Sequence, residues 1–210
     1  MPDKPFHTPY PGYDVLAKWD SPSWDAQTRH VLTRRLTEIP PRRFFTESEW
    51  QALEAVSARL VPQPERATPI PIVPWIDERL HRNWGDGFRY EDMPPMREAW
   101  RLGIYGIEQE SRIRFGPRFA SLAEADQDAV LRAIQAGDVK DAVWARLPPR
   151  RFFTVVLLKE VVGEYYAHPA AWSEVGFGGP ASPRGYVRLG ENQRDPWEAD
   201  ARETKEPERD

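Results

Sequence analysis

The 22 prolines are the strongest constraint on what this sequence can fold into. A proline inside a helix removes a hydrogen bond and clashes with the preceding turn, so this many must punctuate short helices and line their connections. Nine tryptophans accompany them. Trp is large and amphipathic and concentrates in cores and at protein–protein interfaces.

Between the prolines the hydrophobic spacing is helical. Trp24, Val31, Leu32 and Leu36 share one side of a helix starting near Ser23 and stopped by Pro40 and Pro41. Thr46 and Glu49 have the spacing of a capping box, followed by Trp50, Leu53, Val56, Leu60 and Val61 at helical intervals. A proline-studded connection, Pro62 to Pro74, leads to a short helix through Ile76 and Leu80 up to Trp84, and Gly85 to Gly87 reads as a turn. After Pro94 and Pro95, the residues Met96, Trp100, Gly103, Ile104, Ile107 and Ser111 hold one helical face for about four turns. Gly103 and Gly106 would let another helix approach closely.

Ser121 with Glu124 predicts a second capping box, with Leu122, Ala129, Val130, Ala133 and Ile134 behind it and Gly137 as C-cap. Phe153, Val156, Leu157, Val161 and Tyr165 describe a largely buried helix over 152–166. The β-branched residues there leave a strand open, although Lys159-Glu160 breaks the alternation a strand needs. The heptapeptide PPRRFFT occurs twice, at Pro40–Thr46 and Pro148–Thr154, each at a helix entry. The segments that follow share little, so similar local roles explain the repeat better than duplication.

The expected fold is mainly α: a single compact helical domain over residues 23–190. An extended N-terminal arm (1–22) precedes it, its C-terminal end is a Gly/Pro-rich loop, and a charged tail (191–210) without a core of its own follows.

Composition narrows the function. A net charge of −4 gives no general attraction to phosphate backbones, so nucleic acid is not an expected partner. The longest apolar stretch, Val155–Leu158, is too short for membrane insertion. The first residues lack the basic start and apolar run of a signal peptide, which points to a cytoplasmic chain, or a periplasmic one if an exported partner carries it. With no cysteine, thiolate metal sites, disulfides and a Cys nucleophile are excluded.

The catalytic inventory is thin. The glycine cluster Gly176-Phe177-Gly178-Gly179 runs into Pro180 with no strand before it, so it is not a dinucleotide fingerprint. Glu78 and His81 stand as Glu-x-x-His, and Glu164 and His168 lie one turn apart, but a carboxylate-bridged di-iron bundle needs a fuller set. Asp77-Glu78-Arg79 reads as a solvated face, and His7 and His30 as ordinary surface. No cofactor is expected in this chain. The loop from Trp172 to Tyr186 is different: Trp172, Phe177, Gly178, Gly179, Arg184 and Tyr186 form a candidate partner interface of aromatic and Arg anchors amid glycines. The alternative is that this loop folds back over its own helices.

The order of short motifs from about Arg43 to Gly190 resembles a known family. They are Phe44-Phe45-Thr46, Arg59-Leu60-Val61-Pro62, Ile76-Asp77-Glu78-Arg79-Leu80, Tyr105-Gly106-Ile107 with Phe115-Gly116 and Phe119, then Phe152-Phe153 leading to Gly163-Glu164-Tyr165-Tyr166-Ala167-His168-Pro169. Together they are similar to the gluconate 2-dehydrogenase subunit 3 family. The resemblance implies a small subunit without a cofactor, partnered by a GMC-type flavoprotein that carries FAD and oxidises sugars, sugar acids or glycosides. In many such complexes a cytochrome c subunit accepts the electrons. Two other readings stay open: a small helical metalloprotein enzyme using Glu78 and His81, and a stand-alone protein-binding module.

Overall fold

A computed structural model describes residues 8–64, 66–85, 87–88, 90–180, 185, 190, 193 and 197–199. Nearly all of the charged tail lies outside these residues. Among them there is no strand, and the mainly α fold expected from the spacing is found. The α-helices are α1 (Ala26–Thr37), α2 (Glu47–Leu60), α3 (Ile72–His81), α4 (Met96–Phe115), α5 (Glu124–Ala136), α6 (Asp141–Trp144), α7 (Pro149–Arg151), α8 (Lys159–Ala167) and α9 (Pro169–Trp172). Between α7 and α8, Phe152–Leu158 winds as a π-helix. None of the described helices is long and apolar enough to cross a membrane. Packing groups the described residues into two compact units, one within Ile39–Tyr165 and one within Met1–Glu38 and Tyr166–Asp210.

The larger unit is built around α4, 20 residues or about 30 Å long. Its buried face, from Ala99 and Trp100 to Glu110 and Ser111, packs against α2, α5, α6 and the π-helix. Gly103 and Gly106 make room here, though not for a helix backbone. A Cβ on Gly103 would run into the Phe152 ring, and one on Gly106 would meet the Trp144 ring at 2.5 Å. Two aromatic side chains lie where a neighbouring helix was expected.

The two PPRRFFT copies converge on the same residue by different backbones. In the first, Phe44 and Phe45 precede the helix and Thr46 caps it. The amide of Glu49 donates to Thr46 Oγ1 at 3.3 Å and the amide of Thr46 to Glu49 Oε2 at 2.8 Å, completing the predicted box. In the second copy the aromatic pair is already helical, and Thr154 Oγ1 donates to the Arg150 carbonyl instead. Phe45 and Phe152 both stand edge-on to Trp100, each 6.0 Å between ring centres.

Burial recurs every four residues across the π-helix and the start of α8. Phe152-Phe153, Val156-Leu157 and Glu160-Val161 are all buried, in pairs four residues apart. Phe152–Leu158 and Lys159–Ala167 run on as continuous helix. This settles the open choice at 152–166 as helix.

One predicted cap is corrected. α5 starts from Ala123 with no side-chain cap, and Ser121 belongs to the 3-10 turn Phe119–Ser121. The fully buried Phe119 ring decides the local backbone, and Gln127 Nε2 fixes the turn by donating to the Phe119 carbonyl at 3.0 Å. Gly137 closes α5 in the left-handed conformation, as expected. Arg59 ties α2 to α5, with Nε 2.8 Å and Nη2 3.2 Å from the two Asp128 oxygens. Hydrogen bonding from that guanidinium holds the Asp128 carboxyl below the usual carboxylate range.

In the smaller unit, Val15, Trp24, Leu32 and Trp172 form an apolar core flanked by Tyr13, Leu16 and Trp19. The stretch expected to be an extended arm contains a 3-10 turn, Val15–Lys18, capped by Asp14. The turn is favoured because it buries Val15 and directs Lys18 inward. Lys18 Nζ lies 4.8 Å over the Trp24 ring, donates to Ser23 Oγ at 3.2 Å and also donates to the Gly178 carbonyl. Asp25 caps α1, and the Thr28 amide it accepts lowers its pKa.

Candidate functional site

The loop singled out in the sequence is only partly a surface. Trp172 is buried in its own unit, its ring 6.4 Å from Trp24 and its indole N–H donating to the Tyr166 carbonyl at 2.7 Å. Phe177 rests edge-on against Trp172 at 5.4 Å and stays 41% exposed. Gly178 presents its carbonyl to Lys18, and a Cβ on Gly179 would meet the Trp24 ring at 2.8 Å. Those two glycines serve close approach within the unit. Arg184 and Tyr186 lie outside the described residues.

The acidic run at Asp77-Glu78-Arg79 is not a solvated face. Asp77 is fully buried, and its carboxylate accepts the backbone amides of Arg43 at 2.7 Å, Phe44 at 3.0 Å and Phe45 at 2.8 Å. Glu78, also buried, is held between Arg43 and Arg82. Arg79 reaches the buried Glu160 at 2.6 Å. These groups need partners because a buried carboxylate without them carries a large desolvation penalty. His81 is exposed, so Glu78 and His81 do not converge. Buried His168 caps α9, its Nδ1 accepting the Ala170 amide at 3.3 Å. Among the described residues no three or more His, Asp or Glu side chains are grouped to hold a metal ion.

Sequence reasoning missed the most site-like feature, an apolar cleft of about 340 Å³ in the larger unit. One wall comes from the segment before α4, with Phe88, Tyr90 and Met93. The others come from Met96 on α4 and from Val155 and Lys159 in and after the π-helix. At its lip Phe88 is 65% and Tyr90 43% exposed, and nearby in sequence Trp84 is 58% exposed. Their rings are not loose. Arg82 lies 4.7 Å over Trp84 and Arg151 4.8 Å over Tyr90, while Phe88 and Tyr90 stand edge-on at 6.0 Å. Arg151 also pairs with Asp92. A shallower groove of about 500 Å³ shares Thr154 and Val155 with the cleft and adds Arg150, Arg151 and Asp92. The signal was there to find: three large aromatics within 84–90, around a Gly85–Gly87 turn that leaves no run long enough to bury them in a helix or strand.

By architecture the described residues are all α, with buried acids tied to amides and arginines and an apolar cleft in the larger unit. The chain's family is definite. The model of gluconate 2-dehydrogenase subunit 3 matches residues 47–179, more than half of the 210 residues, and the chain belongs to that family. The match covers the cleft and ends at Gly179, before Arg184 and Tyr186. No curated protein and no solved structure matches the chain.

Proposed function

We propose that this chain is the non-catalytic small subunit of an FAD-dependent, GMC-type oxidoreductase acting on sugars, sugar acids or glycosides, which it binds and stabilises or matures. Membership in a family named for a dehydrogenase subunit is the observation that carries this reading. The residues present do not fit a dinucleotide site of their own. The glycine cluster follows the 3-10 turn Ser173–Val175 rather than a strand, and it leads into Pro180. On this reading FAD is carried by the larger partner, and a cytochrome c subunit is a further candidate partner. The exposed Trp84, Phe88 and Tyr90 suit a contact surface, since aromatic residues are enriched among those that dominate binding energy at interfaces.

The test is co-purification from the native host with a tagged full-length chain. A flavoprotein should be recovered in fixed ratio, and deleting this chain should lower its soluble yield or flavin content. Sugar oxidation by the isolated chain with a dye acceptor would overturn the reading. So would a flavoprotein that folds, loads flavin and turns over equally well without it.

A further inference from the structure

We propose that a groove between the start of α2 and the outer face of α4 binds an oxyanion, the carboxylate or phosphate group of a small molecule, on the guanidinium groups of Arg112 and Arg118. The inference goes beyond the accessory-subunit reading and does not depend on it.

The chain reversal after α4 builds the site. Gly116 ends the helix at φ 98°, where L side chains are strained, and its amide donates to the Arg112 carbonyl at 3.0 Å. The buried hydroxyl of Ser111 donates to the Pro117 carbonyl at 2.8 Å. Together they turn the chain back along α4, so that Arg112 and Arg118 reach the same oxygen, Oε2 of Glu108. These three residues line a groove of about 400 Å³ with Glu49 and Arg101. That volume lies within the range of small-molecule sites.

The ion pairs in the groove stop short of hydrogen bonding. Arg112 stands 3.6 Å and Arg118 3.7 Å from Glu108. Elsewhere in the larger unit Arg59 closes on Asp128 at 2.8 Å and Arg79 on Glu160 at 2.6 Å. Neither Arg112 nor Arg118 makes a hydrogen bond to a described residue, and neither oxygen of Glu108 accepts one. Both oxygens are buried, while the two arginine side chains are nearly half exposed. Glu108 is therefore a positioning residue. It holds two cations side by side from behind and leaves their N–H groups to the groove.

Charge decides the ligand. Among the described residues five charged side chains line the groove. Arg101 is spent, donating to both oxygens of Glu49 and to the Phe44 carbonyl. Arg112 and Arg118 then share the single negative charge of Glu108, which leaves one positive charge in excess. A cation is repelled there, and a neutral molecule forgoes charge-assisted bonds. A carboxylate or phosphate group takes several at once, because the guanidinium fork matches its paired oxygens.

The experiment titrates the purified, isotope-labelled full-length chain with inorganic phosphate, and separately with acetate, following the arginine Nε–H signals by NMR. The expected result is saturable binding at one site, with shifts at Arg112 and Arg118. Arg112→Gln with Arg118→Gln should weaken it about tenfold or more. Arg146→Gln, which removes an exposed cation that does not line the groove, should leave it unchanged. Saturation by phosphate alone supports the site with a phosphate ester as ligand, and saturation by acetate alone supports it with a carboxylic acid. Unchanged circular dichroism of the double variant would show that folding is not the cause. If that variant unfolds, Arg118→Gln alone, beyond the end of α4, should still weaken binding severalfold. No saturable shift with either anion would overturn the proposal. So would full binding by a folded double variant, or equal weakening by Arg146→Gln. The accessory reading stands or falls separately, on co-purification of the flavoprotein.

Discussion

Both carboxylate oxygens of Asp77 accept the backbone N–H of Phe44, at 3.1 and 3.0 Å. The same carboxylate takes the amides on either side, from Arg43 and Phe45. One side chain on α3 thus satisfies three successive backbone donors of the segment that delivers Phe44 and Phe45 to the core. Asp77→Ala should destabilise the protein by about 3 kcal/mol, because buried donors then lose a charged acceptor. Asp77→Asn should cost less, keeping one accepting oxygen. Urea denaturation followed by circular dichroism measures both, and equal stability of all three proteins would contradict the assignment.

Glycine-to-alanine changes should have opposite signs at different helical sites. Gly163 lies in α8 with open space where a Cβ would be, so Gly163→Ala should stabilise by about 0.5–1 kcal/mol. At Gly103 the new methyl would collide with the Phe152 ring, and at Gly106 with Trp144. Overpacking of about 1–3 kcal/mol should outweigh the helix-propensity gain at both. Thermal midpoints of the three variants decide it.

The Arg59–Asp128 pair should make part of the stability depend on acid. Asp128 has its pKa lowered by the Arg59 hydrogen bond, so the folded state binds that proton less readily than the unfolded chain. Its contribution is fully present above the unfolded Asp value of about 3.9 and is lost as pH falls through the lower folded value. Arg59→Ala should therefore cost on the order of 1 kcal/mol near neutral pH. The gap between variant and wild type should narrow once the medium is acidic enough to protonate Asp128. A gap that stays constant into that range would rule the pair out as its source.

Lys18→Ala should loosen the smaller unit selectively. The Gly178 carbonyl loses its ammonium donor and Trp24 loses the cation above its ring. Hydrogen exchange should quicken at the Phe177 amide, bonded to the Trp172 carbonyl, and at the Ala199 amide, bonded to that of Gly176. Amides within α4 should keep their protection. Uniform loss across the chain would mean that Lys18 supports the whole protein instead.

What could be read from the sequence was what is decided locally. The Thr46–Glu49 box, the proline stops and the Gly137 cap each depend on residues within one turn. Ser121 has the same local signature as Thr46, yet burial of Phe119 overrides it. Asp77-Glu78-Arg79 looks like any charged helix face because the amides it serves lie more than thirty residues earlier in the chain. The helix over 152–166 was legible in its apolar spacing, but nothing in that spacing marks the π winding of Phe152–Leu158. The cleft was hidden for a further reason: segment 84–90 is too short around its glycine turn to declare an element, and the rings of Trp84 and Tyr90 are positioned by Arg82 and Arg151.

The pairing of Trp24 with Trp172 bears on how the chain is made. The larger unit can close as soon as residues up to Tyr165 have been synthesised, whereas Trp24 must wait for almost the whole chain before its neighbour exists. At ~5–20 residues per second, the N-terminal tryptophans stay uncovered on the ribosome for on the order of ten seconds. Nascent chains stalled before residue 172 should therefore be the ones that recruit chaperones and aggregate.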